Sequence, residues 1–258
     1  MASAATTLTP AQHAQWANDG YIIVSIFTRR VAAQLKAEML SRLALVGDKV
    51  DAVASGDTPN TTGVSVWFPA DVPPFFAKHL LEGELPKTIS ELLGGAPLEF
   101  LSTKPVYKSG EVLYPSPWHQ DWEYWNGAEK ISAWIAVDDA EVANGCLKVV
   151  PGTQKMGRLP HDGDTEKTFG FVNVIDAGSM ERTMSERSAE LGGETTLAAA
   201  TVDCVISAGH AIIFSDRLVH ASNANVNGAD RYSMIPTYRR ADVPDSSVVW
   251  DTALPVSL

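Results

Sequence analysis

The spacing of the hydrophobic residues changes near residue 97. Before that point, residues 31–46 and 85–93 show the spacing of amphipathic helices, and residues 21–27 are rich in the β-branched and aromatic side chains of a strand. After it, short apolar runs alternate with Gly, Pro and Asn, which is typical of antiparallel strands joined by turns. These runs cover residues 98–106, 131–137, 146–150, 201–206, 211–214 and 231–238. The pattern predicts a mainly β sandwich or barrel with flanking α-helices.

Local signals add a first helix and an irregular loop to this outline. Thr9 is placed to cap a helix, Pro10 suits the first helical position, and Gln12 can close a capping box. This helix is predicted to end near Gly20. Residues 51–66 are rich in Gly, Thr and Asp and predict an irregular loop.

We expect one domain over residues 1–258, because this length is normal for a single all-β barrel with helical decoration. Residues 1–96 would form its helical and strand N-terminal part, and residues 97–240 its β core. Residues 154–196 interrupt the core with a long, polar stretch that is poor in β signal. Long structureless loops in compact domains are often lids, so this segment is predicted to cover the site.

Charge and composition exclude several classes of protein. The net charge is −11 and no basic face is visible, which argues against a nucleic-acid partner. No apolar run approaches the roughly 20 residues of a membrane span, and the N-terminus lacks the pattern of a signal peptide. The two cysteines suggest neither a disulfide framework nor a Cys-rich zinc site. We expect a cytoplasmic protein with a small-molecule partner, either monomeric or homodimeric.

A possible metal site begins with the His-x-Asp pattern of His119 and Asp121. If this segment is a strand, residues two apart point to the same face, so the two side chains can offer a nitrogen and an oxygen to one ion. His220 follows about a hundred residues later, directly after a predicted strand. Two histidines and one carboxylate leave three neighbouring positions of an octahedron open, as in the facial triad of Fe(II) oxygenases.

A possible anion site follows from the residues after His220. Asn227-Gly228 is a strong hairpin signal, and a turn centred there would pair His220 with Ile235 and place His220, Ser222 and Arg231 on one face. Arg231 would then lie roughly 13 Å along the sheet from His220. Two open metal positions suit a 2-oxo acid and one suits O₂, while a guanidinium suits the distal carboxylate of 2-oxoglutarate. Ser222 could add a hydroxyl donor.

The ordered motifs over residues 98–240 resemble the phytanoyl-CoA dioxygenase family. The motifs that carry the resemblance are Ser-Thr-Lys-Pro at 102–105, Pro-Trp-His-Gln-Asp at 117–121, Ser-Ala-Trp-Ile-Ala at 132–136, Asn-Gly-Cys-Leu at 144–147, Val-Pro-Gly-Thr at 150–153, and His-Ala-Ser at 220–222 followed by Arg231. The resemblance implies a double-stranded β-helix, the cupin-like jelly roll.

The same resemblance implies specific roles in the site. His119, Asp121 and His220 would bind Fe(II), and Arg231 would hold 2-oxoglutarate in a pocket lined by Ser222 and Trp134, whose positions match the family motifs. Halogenating relatives have a small residue where this chain has Asp121, so halogenation is not expected. The fatty-acyl-CoA activity of the family's namesake does not carry over, because relatives differ in their substrate loops.

Three further residues are possible substrate contacts. Glu123 and Trp125 continue the strand parity of His119 and Asp121, and would reach the mouth of the pocket if the strand runs that far. Arg239 shares the parity of Arg231 and could bind an anionic substrate, although Pro236 can disturb the strand. Core packing is the competing reading for the aromatic residue.

Three functions remain open at this stage. The first is an Fe(II)- and 2-oxoglutarate-dependent dioxygenase that hydroxylates, desaturates, epoxidises or cyclises a small metabolite. The second is a jelly-roll protein that binds a metal or ligand without turnover, and the third is a cupin-type isomerase or metal hydrolase. Arg231 separates the first from the third, because isomerisation and hydrolysis need no dicarboxylate co-substrate.

Overall fold

The computed structural model of the chain describes residues 8–46, 62–64, 66–108, 110, 115–125, 127–162, 174–191, 196–246 and 252–258. The α-helices in these ranges are α1 (Pro10–Asp19), α2 (Arg29–Val46), α3 (Pro74–Leu81), α4 (Glu84–Leu92), α5 (Trp122–Trp125), α6 (Ala177–Leu191) and α7 (Leu197–Ala200). The strands are β1 (Tyr21–Ser25), β2 (Thr62–Val64), β3 (Leu98–Lys108), β4 (Lys130–Ala136), β5 (Leu147–Val149), β6 (His161–Asp162), β7 (Val174–Ile175), β8 (Val202–Asp203), β9 (His210–Ser215), β10 (His220–Ser222), β11 (Arg231–Arg240) and β12 (Leu254–Pro255). Pro69–Asp71 and Thr153–Met156 are 3₁₀ turns.

Helix α1 begins and ends where the local signals predict. The Thr9 hydroxyl accepts a hydrogen bond from the Gln12 amide at 3.2 Å, and the Thr9 amide donates to the Gln12 side chain at 2.9 Å. Gly20 then ends the helix at a φ of 78°, a left-handed conformation that glycine adopts without steric cost. The predicted capping box is therefore confirmed, and the chain enters β1 at once.

Two sheets face each other across the interior. The larger sheet has the order β1-β9-β4-β11-β3-β12, with β2 also paired to β3, and the smaller has the order β10-β5-β8. All these pairs are antiparallel. This is the predicted mainly β jelly-roll core with flanking helices.

Alternation along β11 shows what lies on each face of the larger sheet. Met234 and Tyr238 point to a core shared with helices α2, α3 and α4, and the Tyr238 hydroxyl donates to the Leu80 carbonyl at 2.8 Å. Ile235 points the other way and packs against the cluster that includes Leu147 of the smaller sheet. The helices thus back one face, and the other face is left to line the interior between the sheets.

The predicted hairpin between His220 and Arg231 is wrong. Strand β10 pairs with β5, with His220 opposite Val149, whereas β11 pairs with β3 and β4 in the other sheet. The connection crosses between sheets because Asn225 bridges to Asn144 and its side-chain amide donates to the Lys108 carbonyl at 3.1 Å. Both sides of β11 are already occupied, so β10 has no edge to join there.

The prediction that His119 and Asp121 lie on a regular strand is also wrong. His119 makes a single bridge to His220, and the chain then turns into the short helix α5. The turn is fixed because the Trp122 amide donates to the Asp216 carbonyl at 2.9 Å instead of extending a ladder. The parity argument for residues beyond Asp121 therefore fails.

Two loop predictions need correction. Most of residues 51–66 lie outside the described residues, but Thr62–Val64 is a strand that pairs with β3. Residues 154–196 are not structureless, because they contain β6, β7 and the long helix α6. The Asp176 carboxylate accepts the Ser179 amide at 2.8 Å near the start of that helix, a capping signal that the composition of the segment hides.

Helix α3 was not predicted from the sequence. It begins after Pro73 with Pro74 in its first turn, and it buries Phe76 and Leu80, which are one helical turn apart. In the ranges for which the structure gives coordinates, no helix is both long and apolar enough to cross a membrane.

Candidate metal centre

His119, Asp121 and His220 converge between the two sheets. One ligand atom from each residue lies within 4.8 Å of the others. The Asp121 Oδ1 atom is 3.6 Å from His119 Nε2 and 3.7 Å from His220 Nε2. All three side chains are buried, so the cluster lies in the interior of the protein.

Backbone pairing brings the two histidines together. The His119 amide donates to the His220 carbonyl and the His220 amide donates to the His119 carbonyl, both at 3.0 Å. Each Nδ1 then donates to a nearby carbonyl, that of Pro117 at 2.8 Å and that of Leu218 at 2.9 Å. Carbonyl oxygens only accept, so each Nδ1 carries the proton and each Nε2 is left as the ligand atom facing Asp121.

The protonation states of the cluster suit a divalent cation. Burial opposes ionisation of Asp121, but the Lys104 ammonium and the two histidines outweigh it and hold the pKa of the carboxyl well below its usual range. Burial and the neighbouring His119 lower the pKa of His220 to about 4, so its ring is neutral at pH 7. An ionised carboxylate and a neutral imidazole are the forms that bind metals.

Ser132 orients the carboxylate from behind. Its hydroxyl donates to Asp121 Oδ2 at 3.2 Å, on the opposite side from the Oδ1 atom that faces the histidines. Two imidazoles and one oriented carboxylate form the donor set of the 2-His-1-carboxylate centres, for which Fe(II) is the usual metal. The residues present therefore fit that metal.

Arg231 is a second buried charge on the interior face of the larger sheet. Its guanidinium donates to the Ser233 hydroxyl at 2.7 Å and to the Gly145 carbonyl at 2.8 Å, and it lies 4.9 Å from the centre of the Trp134 ring. Burial lowers its pKa to about 10, which still leaves it charged at pH 7. No carboxylate of the described residues forms an ion pair with it, so an anion is the natural ligand here.

Lys108 places another ammonium beside Arg231. The two residues are directly opposite in the pairing of β3 with β11, and the Lys108 ammonium donates to the Asn223 carbonyl at 2.6 Å. Burial, then the charges of Arg231 and Lys148, lower the pKa of Lys108 to about 7. A Cβ at Gly145 would come within 2.6 Å of the Lys108 side chain, so only glycine lets both cations pack against this turn.

Of the two residues predicted to line the pocket of Arg231, Trp134 contacts the guanidinium and Ser222 lies near His220. Ser222 is on β10 two residues after His220, and its hydroxyl accepts the Ser116 amide at 2.9 Å. Trp134 is buried on β4 and carries the Arg231 guanidinium on its ring.

Glu123 and Trp125 do not continue the face of the metal ligands. Both are in helix α5, where Glu123 forms an ion pair with Arg158 and Trp125 is buried with its indole N–H donating to Asp216 at 2.9 Å. The expected strand parity was wrong because the chain becomes helical at Trp122. Tyr124 of the same helix has its ring centre 6.0 Å from that of His119.

Arg239 shares the face of Arg231 but is already bound by carboxylates. It donates to Glu99 at 2.7 Å and to Asp245 at 2.8 Å. A cation already neutralised by two acids has little attraction left for an anionic ligand. The contacts of Arg239 therefore favour a structural role over the predicted substrate contact.

Gln120 and His161 were missed as parts of the site. The Gln120 amide donates to His161 Nε2 at 3.1 Å, and the buried Gln120 side chain donates to the Gly157 and Arg217 carbonyls at 2.8 Å and 2.6 Å. The residue between the two metal ligands is thus held by the start of the 154–196 segment. The position of Gln120 inside His-Gln-Asp was a possible signal, whereas the metal-like run His-Asp-Gly-Asp at 161–164 favours only a polar loop.

The described parts of 154–196 pack next to the metal loop. The Ile175 amide donates to the Trp118 carbonyl at 2.9 Å, and Met180 and Met184 of α6 are buried in one cluster with Val150 and Val219. The segment is therefore not a remote surface insertion. Whether it opens and closes as a lid stays a prediction.

A jelly roll whose interior holds two histidines and one carboxylate defines the class of 2-His-1-carboxylate proteins. The comparison with family models is specific within that class. Residues 16–233 match the model of the phytanoyl-CoA dioxygenase (PhyH) family, and the chain belongs to this family.

Curated relatives match over about half of this chain. An L-proline trans-4-hydroxylase of Streptomyces griseoviridis is 26% identical over 59% of this chain and 58% of its own length. The peroxisomal phytanoyl-CoA dioxygenase of Homo sapiens is 28% identical over 52% of this chain and 36% of its own. An ectoine dioxygenase of Halomonas elongata is 26% identical over 59% of this chain and 46% of its own. The chain spans less than two thirds of each relative.

Solved structures share the fold over almost the whole chain. The non-haem monooxygenase ThoJ superposes with a TM-score of 0.70 at 20% identity, covering 96% of this chain and 84% of its own. The carbocyclase SnoK also gives 0.70, at 19% identity and 99% coverage of both chains. EvdO2 from Micromonospora carbonacea, solved with 2-oxoglutarate, gives 0.67 at 19% identity and covers 95% of each chain.

Proposed function

We propose that this chain is an Fe(II)- and 2-oxoglutarate-dependent dioxygenase that hydroxylates a small metabolite and releases succinate and CO₂. The observation that carries the proposal is the buried convergence of His119, Asp121 and His220 within 4.8 Å. Arg231, a buried cation without a carboxylate partner in the described chain, adds a site suited to the co-substrate. Membership of the PhyH family agrees with both.

His119, Asp121 and His220 would hold the iron through two Nε2 atoms and Oδ1. When bound, Fe(II) supplies the redox chemistry that activates O₂ at the expense of the 2-oxo acid. Hydrogen bonds to Pro117 and Leu218 fix the two rings, so the ligands need little reorganisation on binding. Ser132 keeps the carboxylate turned toward the histidines.

Arg231 would bind the distal carboxylate of 2-oxoglutarate. A guanidinium can pair with a carboxylate through two parallel hydrogen bonds, and stacking on Trp134 restricts its orientation. Ser222 lies on the same face of β10 as His220, where its hydroxyl can donate to the same anion. The buried Trp134 and Phe214 exclude water from this part of the interior, which strengthens both interactions.

Hydroxylation is the outcome we propose because one relative is named a hydroxylase and another a dioxygenase. One is named an L-proline hydroxylase and another an ectoine dioxygenase. Among the structural neighbours, an epimerase and a carbocyclase show that the same fold serves other outcomes. Placement of the substrate decides between these outcomes.

The test is an anaerobic titration of the purified chain with Fe(II) and then 2-oxoglutarate, followed by a metabolite screen under air scored by succinate release. The proposal expects 2-oxoglutarate to bind only after Fe(II) and to be consumed with O₂. A metal-loaded protein that does not bind 2-oxoglutarate would overturn it. Turnover of a metabolite without 2-oxoglutarate would instead support an isomerase or hydrolase.

A further inference from the structure

Lys104 is a cation on the interior face of the larger sheet. It lies on β3 directly opposite Ile235 of β11, and paired residues of antiparallel strands share a face. Ile235 packs into the cluster between the two sheets, so Lys104 also points to the interior. The ammonium lies 5.1 Å from the centre of the Trp125 ring, which supports it from one side.

The ammonium of Lys104 forms no ion pair and no hydrogen bond with the residues that the structure describes. Three other cations are each paired with carboxylates: Lys130 with Asp245, Arg239 with Glu99 and Asp245, and Arg158 with Glu123. Lys104 is also near enough to the metal cluster to act on Asp121 more strongly than any other charge. A half-buried ammonium with only an aromatic neighbour still has donors to satisfy.

The charges of the interior leave positive charge over, if the proposed function holds. Fe(II) brings two positive charges, and Arg231 and Lys104 bring one each. Asp121 neutralises one of the four and the 2-oxoglutarate dianion neutralises two, and Lys108, when charged, adds one more positive charge. Glu123 does not help, because Arg158 is already bound to it. A low-dielectric interior disfavours an unbalanced charge, so an anionic substrate would complete the site.

We propose that Lys104 binds a carboxylate of the substrate, and that the substrate is therefore a small carboxylic acid. This inference rests on the proposed function and names its substrate class. Lys104 would position the acid next to the metal ligands. The Trp125 ring, which contacts the ammonium, would restrict the position of the lysine side chain. Trp125 would then act on the substrate through Lys104, and not through the direct contact that the sequence predicts.

The first experiment is a screen of matched pairs, in which each small acid is tested beside its own carboxamide. Succinate release above the substrate-free rate is measured with the Fe(II)-loaded chain. We expect acids to stimulate turnover and their amides to fail. If the substrates found are carboxamides or other uncharged compounds, the inference is overturned while the proposed function stands.

The second experiment compares Lys104→Met with Lys148→Met on the best acid. Lys148 is a matched control, because its ammonium also lies 5.1 Å from a tryptophan ring, that of Trp118. It projects from β5 on the face opposite Leu147 and Val149, which pack into the interior. Lys104→Met should raise KM for the acid about tenfold or more, because a charge-assisted hydrogen bond is lost. Lys148→Met should leave it unchanged.

The same variants separate substrate binding from co-substrate binding. In Lys104→Met we expect the KM for 2-oxoglutarate to stay within about twofold, and Lys104→Arg should recover part of the affinity for the acid. An unchanged KM for the acid, or a rise only in the KM for 2-oxoglutarate, contradicts the inference.

A binding measurement covers the case in which no compound of the screen is oxidised. Propionate and propionamide are titrated anaerobically into the Fe(II)–2-oxoglutarate form and followed by calorimetry. Propionate should bind more tightly than the amide, and Lys104→Met should remove the difference. Equal binding of the two probes to the unmodified chain overturns the inference. Failure of 2-oxoglutarate itself to bind is the distinct result that overturns the proposed function.

Discussion

The metal end of the interior and its Arg231 end are both buried, but they present opposite chemistry. At the metal end, acceptor atoms of His119, Asp121 and His220 converge within 4.8 Å. At the other end, Arg231 and Lys108 lie opposite each other and offer only N–H donors. A buried cluster of donors, or of acceptors, costs free energy when its groups have no partners. The arrangement suits a metal ion at one end and a dicarboxylate that reaches from it to the other.

The largest expected effect comes from replacing a residue of the metal cluster. His119→Ala, Asp121→Ala and His220→Ala should each abolish turnover, because two remaining ligands cannot hold the ion. Fe(II) affinity should fall by more than the ~100-fold that loss of a hydrogen-bond partner behind a ligand can cost. Binding is measured anaerobically and folding by circular dichroism, which should stay native.

Ser132→Ala is the graded control for this set. It removes only the hydroxyl that donates to Asp121 Oδ2. Its Fe(II) affinity should fall by about tenfold to 100-fold, less than for any ligand variant. Near-normal oxidation by His220→Ala would show that His220 is not a ligand.

The second effect tests the Arg231 end. Arg231→Lys keeps the charge but loses the fork of donors, so it should raise the 2-oxoglutarate requirement about tenfold or more, or about 1.4 kcal/mol. Arg239→Lys is the control, because Arg239 shares the strand and the face but is bound by Glu99 and Asp245. An equal loss in both variants would show that the effect is not specific to the co-substrate.

Some features of the fold and of the site could be predicted from the sequence because they depend on local residues. The capping box of Thr9 and Gln12 is local, and the structure shows it as predicted. The residue types of the metal cluster were also readable, because His119 and Asp121 with the later His220 supply the ligand types of a facial triad. Local chemistry and ligand type are properties of short segments, so one sequence suffices to find them.

The pairing of strands was not accessible in the same way. Asn227-Gly228 favoured a hairpin, yet β10 joins β5 and β11 joins β3 and β4. The deciding contact is made by Asn225, whose side chain caps the Lys108 carbonyl more than a hundred residues away in the chain. His161 and Lys104 were overlooked as site residues for the same reason, since their partners come from distant segments.

The third effect is the pH dependence of 2-oxoglutarate affinity at the Arg231 end. Burial and the charge of Arg231 lower the pKa of Lys108 to about 7. A bound dianion favours the charged ammonium, so binding takes up a proton above that pH. Affinity for 2-oxoglutarate should therefore fall as pH rises above about 7, by at most tenfold per unit. Calorimetry in buffers of different ionisation enthalpy measures both the affinity and the proton uptake.

Lys108→Met should flatten this profile. The variant keeps the length of the side chain and removes the titrating group, so affinity should become weaker at pH 6 and independent of pH from 6 to 8. A slope that persists in Lys108→Met would assign the proton to another group.

The smallest effect concerns mobility and separates the two ends once more. The Arg231 end is built on β3 and β11, long strands paired on both sides. The metal end is instead tied to residues 154–196, through Gln120 to Gly157 and His161 and through Trp118 to Ile175. These are single hydrogen bonds, which open more easily than a continuous ladder.

Residues 154–196 should accordingly exchange amide hydrogens faster than β3 and β11 in the metal-free chain. Adding substrate to the Fe(II)–2-oxoglutarate form should slow this exchange several-fold, because an oxygenase needs its reactive site closed to water. Helix α4 is the internal control, since it packs on the far face of the larger sheet and should not respond. Protection confined to residues 51–80, with 154–196 unchanged, would assign the lid to the N-terminal part. Protection of both would mean that the metal end is closed from two sides, whereas the Arg231 end is enclosed by the fold itself.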